Sequence, residues 1–314
     1  MKHIRLFKTA ADYESATLDL PNLSYVEETD TVFCKPFIDY SKEYLTIQSL
    51  EDNNEVYLSN LSANNIMYQQ EGSSTWSTFD TGEILILNTN QEVKFKINNP
   101  TITEDGICRF SASKKCNLKG NIMSLLYGDD FIGKKDLTGK NYAFYKLFYK
   151  CTNIVDASEL ILPATTLAEN CYEYMFKDCT SLTTAPELPA TTLADFCYSG
   201  MFEQCTSLVT APELPATTLT DYCYTGMFLG CWVLTTAPEL PATTLVEGCY
   251  SYMFQYCYDL SYIKMLAIDI SVDYCLEEWV IRVSSTGTFV KNKDATWNVT
   301  GVSGIPEGWT VETV

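Results

Sequence analysis

Two evenly spaced sets of cysteines are the first residues in this chain whose types and spacing could do chemistry. Within each set, neighbouring cysteines are 26 residues apart. The sets are Cys171, Cys197, Cys223, Cys249 and Cys275, and Cys179, Cys205, Cys231 and Cys257. Ionised thiols act as nucleophiles and as metal ligands, so each set raises the question of catalysis, metal binding or disulfide formation.

The spacing of the cysteines favours none of these chemistries. Seven residues separate the two cysteines of one copy, and the only histidine is His3, which disfavours a zinc site. Side chains stacked in parallel also lack the Cβ directions that a disulfide needs. We therefore expect free, buried thiols that act as small hydrophobic groups, with disulfides and metal ligation as the alternatives.

A second periodic set contains one glutamate per copy, with threonines beside it. Its members are Glu159, Glu187, Glu213 and Glu239, with Thr184, Thr210 and Thr236 beside the last three. Carboxylates stacked at ~5 Å would match the separation found in retaining glycosidases. Catalysis requires two carboxylates in unlike environments, however, and a ladder makes the environments alike. We interpret these residues as an exposed binding face, and a glycan-cleaving enzyme is the function that the sequence favours least.

Other catalytic motifs are missing from the sequence. A lone histidine does not support a Ser-His-Asp triad, and the sequence contains no glycine-rich phosphate-binding loop. No DxDxDG-type calcium loop is present either. We therefore expect a protein that is not an enzyme and that needs no cofactor and no metal.

The periodic residues belong to a repeated segment that must position them. The stretch "CTSLTTAPELPATTLADFCYSGMFEQ" (179–204) is followed by two near-identical copies, 205–230 and 231–256, and such self-similarity indicates stacked repeats. A short Thr-rich segment before Pro186 predicts a strand. Thr192 and Asp195 form a capping-box pattern, which predicts the start of a short helix. Leu193, Cys197 and Met201 would share one face of that helix.

A further periodic set of aromatic residues lies on the predicted helices. Its members are Tyr172, Tyr198, Tyr224 and Tyr250. We interpret these rings as packing between copies, although exposed tyrosines also suit contacts with sugars or proteins.

The repeat resembles the BspA-like, or treponemal-type, leucine-rich repeats. The motifs that carry this resemblance are "CTSLTTAPELP" and "CYSGMF". The resemblance implies an α/β leucine-rich-repeat solenoid, with short parallel strands and short helices in repeats of ~26 residues.

The rest of the chain divides into three further segments. Residues 43–120 alternate apolar and polar residues in short runs, which predicts a small antiparallel β-sandwich. Residues 121–282 hold the repeats and an N-terminal half-repeat, and 283–314 predict a C-terminal capping hairpin. Residues 1–42 are too short for a core of their own, so we expect this segment to dock on another surface.

Charge and hydropathy limit the partners. The chain has 21 Lys and Arg against 40 Asp and Glu, a net charge of −19, which disfavours nucleic acid. No apolar run approaches the ~18 residues of a membrane span, so we expect no membrane insertion. The N-terminus also lacks the apolar core of a secretion signal.

The segments outside the repeats resemble virion proteins of phages and prophages from Bacteroides-type gut hosts. The motifs are "LPNLSYVEETDTV", "NIMSLLYGDDF" and the ending "GTFVKN…TW…SGIPEGWTV". The resemblance implies a homo-oligomeric head or tail fibre or decoration protein, located in the virion. Residues 1–42 would be an N-terminal anchor segment that binds other virion proteins, and the repeats would bind a glycan or protein of the host surface or mucus. The alternative is a BspA-like adhesin on the bacterial cell surface.

Overall fold

The computed structural model describes residues 23–26, 31–34, 39–61, 66–97 and 100–314. The chain divides into two units, Met1–Asp39 and Tyr40–Val314. In the first unit, strands β1 (Leu23–Val26) and β2 (Thr31–Cys34) pair antiparallel. The rest of residues 1–38, and with it most of the predicted anchor segment, lies outside the described residues.

The regular secondary structure in the described part of the second unit consists mainly of strands. They are β3 (Leu45–Ser49), β4 (Asn54–Ser59), β5 (Ile66–Gln70), β6 (Ser77–Thr78), β7 (Ile84–Leu87), β8 (Glu92–Ile97), β9 (Arg109–Ala112), β10 (Cys116–Asn121), β11 (Ile154–Ile161), β12 (Tyr262–Met265), β13 (Thr288–Lys291) and β14 (Thr310–Thr313). Among the described residues, helical structure is confined to α1 (Ser124–Tyr127) and the 3-10 turns Tyr40–Lys42 and Gly128–Asp130. No helix among the described residues is long and apolar enough to cross a membrane.

Two sheets pack face to face in the first part of this unit. One has the strand order β6-β5-β8-β3-β10-β11, and the other has the order β7-β4-β9. In β4, buried and exposed residues alternate strictly, as expected of a strand with one face on a core. Phe95 of the first sheet and Phe110 of the second lie with ring centroids 4.8 Å apart. The core of this region therefore lies between the two sheets.

The repeats continue from the edge of the larger sheet. Strand β11 pairs with β10 in parallel, although the other pairs in that sheet are antiparallel. Asp156 of β11 then forms a parallel bridge with Thr184, and Thr184 forms one with Thr210. Proline has no N–H to extend such a bridge, which explains why the strand predicted before Pro186 is reduced to a single residue.

The predicted α/β leucine-rich-repeat solenoid is wrong. The structure is mostly β, with one mixed sheet, two antiparallel sheets and one parallel sheet, and the helices predicted in the repeats are absent. Alternate backbone N–H groups point to different partners there: Met201 donates within its own turn to Tyr198, whereas Phe202 donates to Met227 of the next copy. An α-helix would bond all these groups internally.

Backbone torsion angles give a second reason for the absence of helices. Every fourth residue of the segment has a positive φ, as at Phe196 (56°), Gly200 (57°) and Gln204 (60°). A right-handed α-helix cannot include such residues. Each copy is therefore a run of turns. The N–H groups that are not bonded within a turn donate to carbonyls of the neighbouring copy.

The C-terminal residues do not form the predicted capping hairpin. Strands β13 and β14 pair in parallel with each other, and β13 pairs in parallel with β12. Parallel strands require a crossover of about a dozen residues or more, and the long connection between Lys291 and Thr310 provides it. Trp279 covers the last of the stacked phenylalanines, Phe254, with ring centroids 6.0 Å apart.

Candidate functional site

The loops that follow Thr184 and Thr210 enclose a groove between two neighbouring copies. Its volume is about 390 Å³, and it is lined by residues 184–189 of one copy and by 210–213 and Pro215 of the next. Both loops have the sequence Thr-Ala-Pro-Glu-Leu-Pro. The groove therefore brings together Thr184, Glu187, Thr210 and Glu213, four of the seven residues predicted for the binding face.

Burial of the loop leucines explains why the glutamates face outwards. Leu188 and Leu214 are each 3 % exposed and pack in the core, whereas the preceding residues Glu187 and Glu213 are exposed. Adjacent residues of an extended chain point to opposite sides. Anchoring each leucine therefore presents the carboxylate before it to solvent.

The four predicted glutamates differ in their electrostatic environment. Glu239 forms an ion pair with Lys264 at 2.9 Å, and Glu159 forms one with Lys119 at 3.6 Å. In the described part of the chain, neither Glu187 nor Glu213 has an ion-pair partner. The two unpaired carboxylates are the two that line the groove.

The third copy presents a different surface. Its loop pairs with β12, because Ala237 donates to the carbonyl of Tyr262 and Leu240 donates to that of Lys264. Thr236 is exposed and forms a parallel bridge with Tyr262. Glu239 and Thr236 therefore lie beside β12, outside the groove that Glu187 and Glu213 line.

The groove combines apolar walls with polar groups. Proline and alanine side chains line most of it, and Thr184 and Thr210 add hydroxyls. Carboxylates accept hydrogen bonds and attract cations, and proline and alanine surfaces favour apolar contact. The site can thus bind a ligand that offers hydrogen-bond donors or positive charge on an apolar body.

Sequence reasoning did not identify the proline walls or the lysine partners. Four prolines of the groove repeat with the glutamates, namely Pro186, Pro189, Pro212 and Pro215, and this common period is a signal that could have found them. Lys119 comes from β10, outside the repeats. No repeat pattern reveals that Lys119 pairs with Glu159.

The nine periodic cysteines lie in the interior and form no disulfide. Thiols of the second set donate to backbone carbonyls of the preceding copy, as Cys205 Sγ does to Phe176 O at 3.2 Å. Burial raises the pKa of the Cys171 and Cys257 thiols to about 12, so both are neutral near pH 7. Neutral thiols are poor nucleophiles and poor metal ligands.

The tyrosines of the repeats stack in the interior. Tyr172 and Tyr198 are nearly parallel, with centroids 5.6 Å apart, and Tyr198 and Tyr224 are 5.8 Å apart. All are at most 2 % exposed. These rings pack between copies and present no surface to a ligand.

No candidate metal centre is found in the described residues. No group of three or more His, Cys, Asp or Glu side chains there is placed to hold a metal ion. The groove is therefore treated as a site for an organic ligand and not for a metal ion.

Comparisons with protein-family models, with curated proteins and with solved structures find no match for this chain. The resemblance to BspA-like repeats and to phage virion proteins therefore stands on sequence motifs alone.

Proposed function

We propose that this protein is a phage virion structural protein, a head or tail fibre or decoration protein, that binds the host surface or mucus through its repeat face. The observation that supports the binding role is the groove between the two Thr-Ala-Pro-Glu-Leu-Pro loops. Its two carboxylates, Glu187 and Glu213, are exposed and lack ion-pair partners among the described residues. Unpaired charges beside apolar walls are available to a ligand.

The repetition of the groove walls suits a repetitive ligand. Thr184 and Thr210 form a backbone bridge, so equivalent groups of the two copies lie about one strand spacing apart, ~5 Å. A glycan or an extended protein segment can contact both copies at once. Weak contacts then add through multivalency.

The groove does not support catalysis. Glu187 and Glu213 occupy equivalent positions in identical loops, and both are exposed. A general acid and a nucleophile need unlike surroundings, and the two loops offer similar ones. Binding is therefore the better account of these carboxylates.

The virion assignment rests on the motifs outside the repeats, and it needs a separate test. Mass spectrometry of purified phage particles tests it directly. We expect peptides of this chain in particles after density-gradient purification. Absence from particles, together with recovery from the bacterial envelope, would support the cell-surface adhesin instead.

A further inference from the structure

A second surface has the opposite charge. It lies where residues 141–150, the half-repeat before Cys151, meet β9. Three cations surround one tyrosine ring there. The Tyr149 ring centroid is 5.0 Å from Lys150 Nζ, 5.5 Å from Lys146 Nζ and 5.7 Å from the guanidinium carbon of Arg109. We call these four residues the Tyr149 cluster.

The three cations of the Tyr149 cluster lack ion-pair partners in the described part of the chain. Within the described residues, no carboxylate forms an ion pair with Arg109, Lys146 or Lys150, although Lys177 nearby is paired with Glu203 at 2.7 Å. Arg109 Nε is buried and has no hydrogen-bond partner there. Unpaired like charges repel one another, and an anion bound beside the three cations would relieve this repulsion.

Among the acidic residues near the cluster, Glu203 is paired with Lys177 and Glu173 lies close to Lys146. Glu173 interacts electrostatically with Lys146 and Lys177, and burial raises its pKa to about 7. Near neutral pH, Glu173 is therefore only partly ionised. It leaves the local charge positive in a chain whose net charge is −19.

Aromatic rings extend the surface around the cations. Lys146 Nζ is 4.6 Å from the ring centroid of Tyr145 and 5.5 Å from that of Tyr174. Tyr145, Tyr149 and Tyr174 are all partly exposed. Tyrosine rings offer flat apolar faces with a polar edge, which suits contact with sugar rings.

We propose that the Tyr149 cluster binds a saccharide that carries a carboxylate group. The cations would receive the carboxylate, and the neighbouring tyrosines would contact the sugar ring. A saccharide whose few carboxylates are spaced apart can place one of them beside this local positive charge. A nucleic acid presents a dense row of phosphates that the net negative charge of the chain repels. The site is chemically opposite to the Glu187–Glu213 groove, whose carboxylates would repel the same ligand.

The test compares three small ligands by isothermal titration calorimetry with the full chain at low ionic strength. Trigalacturonate carries carboxylates on sugar rings, maltotriose carries the rings alone, and triglutamate carries carboxylates without sugar. We expect trigalacturonate to bind more tightly than either of the others. No binding of trigalacturonate, or equal binding of triglutamate, would overturn the proposal.

Charge-neutralising variants locate the site. The double variant Lys146→Gln/Lys150→Gln should weaken trigalacturonate binding by about fivefold or more, because two charge contacts are lost, one from half-buried Lys146 and one from exposed Lys150. The matched control Lys135→Gln/Lys293→Gln removes two exposed lysines that do not contact Tyr149 and should bind as the unaltered chain does. Equal weakening in both variants would overturn the assignment to this cluster. Thermal unfolding by circular dichroism confirms that both variants fold.

Discussion

The backbone N–H of Phe176 donates to the carbonyl of Met201 across 2.9 Å, linking equivalent turns of two neighbouring copies. The next N–H groups alternate between such links and bonds within their own turn. The repeats are therefore joined by regularly spaced backbone hydrogen bonds on the turn side as well as by the threonine bridges. Stability of the repeats should depend on the positive φ angles that make this alternation possible.

Two glycines test this dependence because they share a torsion angle but differ in surroundings. Gly200 and Gly226 have φ values of 57° and 59°. A β-carbon at Gly226 meets nothing closer than Leu229, whereas at Gly200 it would collide with the ring of Tyr174. We expect Gly226→Ala to lower the free energy of unfolding by about 1–2 kcal/mol, and Gly200→Ala to lower it further. Urea unfolding of both variants measures this, and equal losses would show that the Tyr174 ring moves aside at little cost.

Tyr224 provides a test of packing without hydrogen bonding. Its ring is stacked between Tyr198 and Tyr250, and its hydroxyl is buried with no hydrogen-bond partner among the described residues. Phe144 stacks on Tyr172 in the same row, so a phenylalanine fits this environment. Tyr224→Phe should leave stability unchanged or raise it by about 1 kcal/mol, because an unsatisfied buried hydroxyl is unfavourable.

Truncation of the same side chain is the control for that change. Tyr224→Ala should lower the free energy of unfolding by about 3–5 kcal/mol, the usual cost of removing a large buried ring. A large loss in Tyr224→Phe would mean that the hydroxyl has a partner in solution.

The prediction of helices in the repeats was wrong because one residue spacing fits two different structures. Leu193, Cys197 and Met201 recur every four residues, which suits one face of an α-helix. A run of turns with a positive φ at every fourth residue produces the same spacing. Glycines at positions 200, 226 and 248 are the signal that separates the two structures, since glycine tolerates positive φ but weakens a helix.

Neighbour relations in the repeats are easier to predict than backbone conformation. Phe202 and Phe228 are 26 residues apart and stack with centroids 5.8 Å apart, a contact that follows from repetition alone. Which of the four glutamates form ion pairs could not be predicted in this way. It depends on Lys119 and Lys264, which have no equivalents at the Glu187 and Glu213 positions.

The buried cysteines should make the protein sensitive to alkali. Burial raises the pKa of Cys171 and Cys257 from 9.0 to about 12. A group with a raised folded-state pKa stabilises the fold below its unfolded-state pKa, and that contribution is lost as pH rises through the folded-state pKa. Stability should therefore fall between about pH 9 and pH 12.

Thiol titration at pH 8 checks the same burial under native conditions. Few of the cysteines should react with a thiol reagent before unfolding, and most should react in denaturant. Near-stoichiometric labelling of the folded protein would contradict the buried assignment.

The division of the chain after Asp39 predicts the effect of removing the N-terminal unit. Deletion of residues 1–39 should leave the unit Tyr40–Val314 folded, because that unit contains its own core. Under the proposed virion role, the deletion should abolish incorporation into particles. Circular dichroism and particle mass spectrometry measure the two effects. Unchanged incorporation would place the anchor elsewhere in the chain.

The central claim is that the groove between the two loops binds the host surface or mucus, and the double variant Glu187→Gln/Glu213→Gln tests it most directly. Both side chains are exposed, so stability should change by no more than about 0.5 kcal/mol. The control Asp195→Asn/Asp221→Asn removes the same charge from exposed positions of the same copies.

The decisive measurement is binding of the full chain and both variants to a mucin-coated surface and to a printed glycan array. We expect the unaltered chain and the control to bind, and the groove variant to bind about fivefold more weakly or worse. Each exposed charge contact contributes about 0.5 kcal/mol, and the variant loses two. Equal binding by all three folded proteins, or no binding by the unaltered chain, would contradict it.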